Sequence, residues 1–320
     1  MPTPVKYFPK YPLYIPSKGR FESLYTMKAL ELLGVPYNVM VEPQEMDSYK
    51  KAMADYKWHT LIELPFSNHG MGSGPARNFA WEHSKAAGFR RHWIIDDNIF
   101  EFWRFYNNCR IKFTTGAFFR AWEDWNDRFL NMPMTGLQYK FFVMDNYHYK
   151  PFLLNSRLMS CILIENSLEH RWRGKWNEDV DLSLRTLKDG YCTALSYTFL
   201  CGKARTGTIK GGNTTEIYGG YKDDSSFKKS KMLADLHPDV VKLVKRYGRW
   251  HHDVDIRPFQ NNKPIIDPNA SWDPEPNEYG MALTMDFNSE TGEHGPAYRA
   301  ENILGNPRRP TEFKLIGLNK

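Results

Sequence analysis

Short apolar runs alternate with amphipathic ones over the first hundred residues, and this constrains the 320-residue chain more than any other feature. Leu13–Ile15 reads as a strand closed by Pro16 and a polar, glycine-containing turn. In FESLYTMKALELLGV, Leu24, Met27, Leu30 and Leu33 fall on one helical face, and Gly34 and Pro36 end it. YNVMVEP predicts a second strand, EMDSYKKAMADYK a polar helix and TLIELP a third strand. GPARNFAWEHSKAAGF predicts a helix with Pro75 at its start and Gly88 past its end, followed by HWIIDDN as a fourth strand. Strands and helices in strict alternation build right-handed crossover units on a mainly parallel sheet. Such sheets bind ligands beyond the carboxyl ends of their strands.

That edge is where the acidic residues fall. Asp96, Asp97 and Asn98 stand directly behind Trp93–Ile95. Adjacent carboxylates repel unless a cation neutralises them. Hard divalent ions such as Mn²⁺ and Mg²⁺ take oxygen ligands and keep substrate phosphates in their shell. The same triplet also makes an ordinary solvated turn, but its place behind an interior strand favours the metal. A second acidic group, Glu178 and Asp179 with Asp181 behind them, opens the helix WNEDVDLSLRTLKDG. The helix dipole alone accounts for acids in a first turn. A carboxylate held there beside a cleft is equally placed to take a proton from an acceptor hydroxyl.

SKGR with Arg20, and PARN with Arg77 and Asn78, bring arginines and backbone N–H groups to helix starts, which suits a nucleotide diphosphate. TIKGGN adds Lys210 with Gly211 and Gly212, which allow close approach to a phosphate. The GMGSG turn is too irregular for a dinucleotide fingerprint, and no GxxxxGK[ST] loop is present. EHRWRGKW interleaves Arg171, Arg173 and Lys175 with Trp172 and Trp176, either as a groove for phosphates and bases or as a surface loop. KRYGRWHHDVDIRPF repeats the theme, and its His251 and His252 either complete a metal site or merely sit in a strand.

Further along, TGAFFRAWEDWNDRFLN predicts a helix, and GLQYKFFVM, NSRLMSCILIEN and YCTALSYTFLCGK predict strands. From residue 262 onward Pro, Asn, Gly and Asp dominate, which predicts loops and short strands wrapped on the main body. A net charge of +6 suits an anionic partner and equally a mildly basic enzyme. The four cysteines form no CxxC pair, so reduced thiols in a cytosolic protein are expected. MPTPVKYFPK lacks the apolar core of a signal peptide, and no apolar run approaches the ~20 residues of a membrane span. The expectation is a cytoplasmic protein with no membrane partner.

With these motifs in order, the chain resembles the GT-A type nucleotide-sugar glycosyltransferases. YIPSKGR stands at the first strand, PARN before the metal strand, IIDDN in place of a DxD, NEDVDL as the acceptor-side acidic motif and IKGGN as the glycine loop after it. More narrowly it resembles the phage-encoded glycosyltransferases associated with TET/JBP-like dioxygenases. The resemblance implies an α/β fold of GT-A type, a single Rossmann-like mixed sheet flanked by helices, over residues 1–261. A donor half would span about 1–105 and an acceptor half about 106–261, with 262–320 a loop-rich extension packed on them. It implies that Pro16, Ser17, Lys18, Arg20, Arg77, Asn78, Asp96, Asp97, Lys210, Gly211 and Gly212 surround the nucleotide-sugar. Mn²⁺ or Mg²⁺ would sit among Asp96, Asp97, Asn98, His251 and His252. Asp179, helped or replaced by Glu178, would be the base of an inverting displacement. Arg171, Trp172, Arg173, Lys175 and Trp176 would meet double-stranded DNA carrying a hydroxymethylated pyrimidine, in the host cytoplasm if the gene is phage-borne. A glycan or protein acceptor, or nucleotidyl transfer on paired aspartates, are the competing readings.

Overall fold

The computed structural model describes residues 2–68, 70–204, 211–212, 223–271, 279, 281–288 and 293–300, with 223–225 and the last two stretches as backbone only. The expected first strands form β1 (Leu13–Pro16), β2 (Tyr37–Val41), β3 (His59–Glu63) and β4 (Arg91–Ile95). They lie in the order β3-β2-β1-β4, each parallel to its neighbour, with Ile15 opposite Val39 and Leu13 opposite Trp93. The connecting helices are α1 (Tyr25–Leu33), α2 (Met46–Ala52) and α3 (Gly74–Ala86). Gly34 closes α1 in the left-handed conformation, φ 65°, its N–H returning to Leu30 and Glu31.

The sheet then departs from the mainly parallel arrangement. Beyond β4 come β9 (Cys161–Glu165) and β7 (Met134–Tyr139), then β10 (Thr193–Lys203), β5 (Ile99–Tyr106) and β6 (Cys109–Phe113). β9 and β5 run antiparallel to their neighbours while β7 pairs parallel with β10, so the sheet is mixed. β8 (Phe152–Leu154) pairs with β10 off this path. The β5–β6 hairpin, in IFEFWRFYNNCRIKF, was not among the expected strands; Asn107 and Asn108 turn it at positive φ. β13 (Met281–Asn288) and β14 (Glu293–Ala300), in the stretch expected as loops and short strands, extend the sheet through β14 beside β6.

Every residue of β4 is buried because both sheet faces are covered. Alternate residues point to opposite faces. On one, Leu13, Ile15, Trp93 and Ile95 pack with Met27 and Leu30 of α1 and with Phe118 and Phe119 of α4 (Ala117–Asn126). On the other, Tyr14, Met40, Ile94 and Ile162 pack with Trp81 of α3 and Leu182 of α5 (Glu178–Lys188). The outer side of α5 is covered by α6 (Asp223–Leu236) and by a hairpin of β11 (Val241–Arg246) and β12 (Arg249–Val254), through Val180, Leu184, Leu233, Val241 and Val254. Among the described residues no helix is long and apolar enough to cross a membrane.

Candidate active site

The parallel relation of β1, β4, β7 and β10 brings their carboxyl ends to one edge, and antiparallel β9 begins there. Ser17, Asp96, Tyr139, Lys203 and Ser160 therefore gather at one edge, each at the end of a different strand or one residue beyond it. Asp96 is the centre. Its Oδ1 accepts from Arg77 (2.7 Å), and its Oδ2 accepts from the Ser160 hydroxyl (2.7 Å) and the Lys203 ammonium (2.7 Å). Ser160 also accepts from Lys203 (2.6 Å) and lies 2.6 Å from the Tyr139 hydroxyl. Its backbone sits at φ 63°, which lets its carbonyl receive the Asp96 N–H at 2.7 Å. Burial opposes ionisation of Asp96, but Lys203 and Arg77 outweigh it and hold the carboxyl below the usual range.

Asp97 turns to the other side of the strand end. Its carboxylate pairs with Arg20 and accepts from the Ser17 hydroxyl (2.8 Å), which also meets Tyr49 (2.7 Å). Burial is the larger influence here and raises the Asp97 pKa against the pull of Arg20 and Ser17. The SKGR turn is held by Lys18 on Glu42 (3.1 Å) and by the Gly19 N–H on Glu45 (2.7 Å). Gly211 and Gly212 close over it, the Gly212 N–H donating to the Lys18 carbonyl at 2.7 Å. A β-carbon on Gly211 would run into the Gly19 carbonyl, so only glycine allows this approach. Among the described residues, one buried guanidinium N–H of Arg20, on Nε, has no partner. Lys210 lies outside the described residues.

Arg77 ties the two acidic motifs together. It is 4% exposed and lies 4.6 Å from the Trp172 ring centroid. One nitrogen reaches Asp96; the other pairs with Asp179 and lies 3.6 Å from Glu178. Asp179 also accepts from the Ser160 N–H (3.2 Å), and Glu178 accepts from the Ser73 hydroxyl (2.7 Å). Burial raises the Asp179 pKa to about 6; Arg77 pulls it down, while Glu178 and Asp96 push it up. A carboxylate so tuned is half ionised at about pH 6 and mostly ionised at neutrality, close enough to the working range to take and release a proton as a general base does. Asp181, by contrast, is fully buried among Arg173, Arg185 and His237. Its role is to hold α5 in place.

Several expected residues have other employment. Both ends of the Asn78 amide bracket the Trp172 backbone, at 2.9 Å each, so Asn78 positions the Trp172 platform. In EHRWRGKW, Arg171 pairs with Glu82 (2.7 Å) over Trp81, Trp172 is buried and Arg173 is spent on Asp181. Lys175 stands over Trp176, 5.8 Å from its ring centroid. In this stretch Trp172 and the Arg171 pair belong to the fold, while Arg173 keeps an exposed side chain beside its pair with Asp181.

The residues expected to hold a divalent ion are only partly suited to one. Each carboxylate oxygen of Asp96 and Asp97 already meets a cation or hydroxyl, and only the Asn98 amide oxygen is buried and unused. His251 and His252 lie on β12, and burial together with Arg157 and Lys229 lowers His252 to about 4. Among the described residues no group of His, Cys, Asp and Glu is arranged to enclose a metal. A resident, all-protein metal cage does not fit; an ion completed by substrate phosphates needs fewer protein ligands. Sequence reasoning missed Ser160, Lys203 and Tyr139. A lysine ending the apolar run YTFLCGK was the legible signal, read by the same edge rule that selected Asp96.

No curated protein matches the sequence. Among solved structures, *Staphylococcus aureus* TarS 1–349 aligns at 11% identity and TM-score 0.39, over 71% of this chain and 66% of that one. The same protein in complex with UDP aligns at 14% identity and TM-score 0.38, over 58% and 57%. Mannose-6-phosphate isomerase from *Helicobacter pylori* aligns at 9% identity and TM-score 0.27, over 82% and 98%. The family described as TET-Associated Glycosyltransferase matches residues 11–212, from β1 through the glycine loop. The chain spans less than two thirds of the length of the TarS structures it aligns with. The family match takes in every strand end of the site and most of the chain, and the chain accordingly belongs to the TET-Associated Glycosyltransferase family.

Proposed function

We propose that this enzyme moves a sugar from a nucleotide-sugar, UDP-linked, to the hydroxyl of a hydroxymethylated pyrimidine in double-stranded DNA. The observation that carries the reading is the position of Asp179. A carboxyl with a pKa of about 6 is joined through a single buried arginine to Asp96, and the next residue, Asp97, meets Ser17 and Arg20 of the SKGR turn under the glycine loop. One end has the character of a base and the other that of an anion cradle, with the unused Arg20 Nε–H at hand. The DNA acceptor is supported by the association with TET-type dioxygenases, whose products carry the hydroxyl, and by the +6 net charge.

In this scheme the acceptor oxygen attacks the anomeric carbon as its proton passes to Asp179. The bond from that carbon to the diphosphate breaks, and the diphosphate leaves with the electron pair. Glu178 and Asp96 keep Asp179 basic, and Arg77 holds its orientation. Arg20 and Lys203 supply fixed positive charge at the donor edge. Mn²⁺ or Mg²⁺ belongs to the proposal in one form, carried in on the donor diphosphate and seated against Asp97 and Asn98, where it would offset charge on the leaving group. The target base must leave the duplex to reach Asp179.

Incubating a hydroxymethylated duplex with a panel of UDP- and GDP-sugars, with and without Mn²⁺, and weighing the released nucleosides tests the reading. A nucleoside heavier by one sugar residue is expected. No mass change with any donor rejects it, and full activity in excess chelator rejects the metal. A product with retained anomeric configuration rejects Asp179 as the base.

A further inference from the structure

The β11–β12 hairpin and the loop leading into Ser160 enclose a cavity of about 380 Å³ outside the donor site. Its lining includes Arg157, Arg246, Tyr247, His251, His252 and Asp253. Arg157 is half-buried, yet its side chain makes no hydrogen bond or ion pair among the described residues. Among the described residues the opposing charge it feels is the longer-range field of Asp253, which is itself engaged by Arg246 at 3.1 Å. No Arg157 nitrogen is both buried and unpartnered among the described residues, so the guanidinium keeps contact with the cavity solvent and can take an anion there.

The surroundings have the same sign. Residues 241–254 carry Lys242, Lys245, Arg246 and Arg249 against Asp253 alone, and all five are exposed. Tyr247, at the hairpin tip with φ 51°, is 97% exposed. A solvated basic hairpin would need no cavity and no half-buried arginine. This one is also built onto the site. Asn177, next to Glu178, donates to the Lys229 carbonyl on α6 (2.8 Å), and Ser230 of α6 donates to the Trp250 carbonyl on β12 (3.3 Å). Asn155 ties the loop to Phe259 and Asn262 beyond the hairpin, at 2.8 Å each. Arg157 is three residues from Ser160, whose N–H donates to Asp179, so their α-carbons are at most about 11 Å apart. That span covers one to two nucleotides of a strand.

We propose that this cavity seats a backbone phosphate of the acceptor strand, so that Arg157 and the basic hairpin grip the DNA flanking the nucleotide presented to Asp179. The inference rests on the DNA reading above and names where the polynucleotide is held. It also moves that contact away from EHRWRGKW, whose Arg171 and Arg173 are paired with Glu82 and Asp181.

The test is equilibrium binding of the full chain to an unmodified fluorescent duplex across a salt series, with Arg157→Gln and the exposed Arg246→Gln. Each substitution is expected to weaken binding roughly five- to tenfold at every sequence and to flatten the log–log salt slope by about one. UDP binding is expected to stay unchanged. An unaltered slope in both variants overturns the proposal, as does an equal loss of UDP binding. Micromolar competition by inorganic phosphate overturns the strand assignment. Because this assay needs neither a sugar nor a modified base, failure of the transfer assay with these shifts intact removes the acceptor and leaves the anion site. Transfer to DNA with both variants behaving as the parent does the reverse.

Discussion

Replacing Glu178 by Gln removes one like charge beside the proposed base and should move the pH dependence of transfer. Asp179 stands at about 6 because burial, Glu178 and Asp96 outweigh the pull of Arg77. The base must be ionised, so kcat/KM should rise about tenfold per pH unit below about 6 and level off above it. Glu178 and Asp179 share one nitrogen of Arg77. Two unit charges about 6 Å apart interact by about 3 kcal/mol at an effective dielectric constant of 20. Arg77 between them screens part of that, leaving about 1.4 kcal/mol, or one pH unit. The Glu178→Gln limb should therefore fall about one unit lower, with the plateau changed far less than by Asp179→Asn, which should cost about 10² to 10⁴. The assay is kcat/KM for a hydroxymethylated oligonucleotide from pH 4.5 to 9 at saturating donor. A limb that does not move, or an Asp179→Asn enzyme with near-parental activity, refutes the reasoning.

Lys203→Met strips Asp96 of one of its two cations, and removing one partner of a buried pair costs about 3 kcal/mol. A lowered thermal midpoint together with a fall in kcat is expected, and an unchanged melt would contradict the pairing. Glu123, fully buried under Trp93 Nε1 and the Lys10 N–H, is pushed up to about 8, mainly by burial. Its unfolded carboxyl ionises near 4.3, so the contribution of Glu123 to folding stability is greatest below about pH 4 and falls as pH rises toward 8, by a few kcal/mol, opposite in sign to that of Asp96. Urea unfolding of Glu123→Gln should lose most of that slope, whatever constant cost the lost hydrogen bond adds. Gly211→Ala places a β-carbon against the Gly19 carbonyl at φ 82° and should weaken UDP binding at least tenfold by calorimetry, with the melt nearly unchanged.

The crossover half of the fold was legible because its signals are local. Apolar periodicity switches between strand and helix from Leu13 to Ile95, and Gly34 stops α1 where its spacing said it would. β9 and β5 were less so. CILIE and IFEFWRFY announce strands without saying which way they run, since direction is set by the neighbours they meet. The β5–β6 turn through Asn107 and Asn108 carried a hairpin cue that the continuous aromatic run obscured.

For the site, sequence alone determined which strand ends carry acids, and it led to the expectation of a divalent ion, rather than a solvated turn, at Asp96 and Asp97. Two adjacent carboxylates behind a buried strand repel each other, and that much is local. Tertiary structure decided which side-chain cations meet these carboxylates. Arg77 comes from a preceding helix, Lys203 from a strand over a hundred residues later and Arg20 from the first turn. Charge neutralisation in a low-dielectric interior depends on distance in space. Arg77, Ser160 and Lys203 are close to Asp96 only because β1, β4, β9 and β10 present their ends at one edge of a mixed sheet.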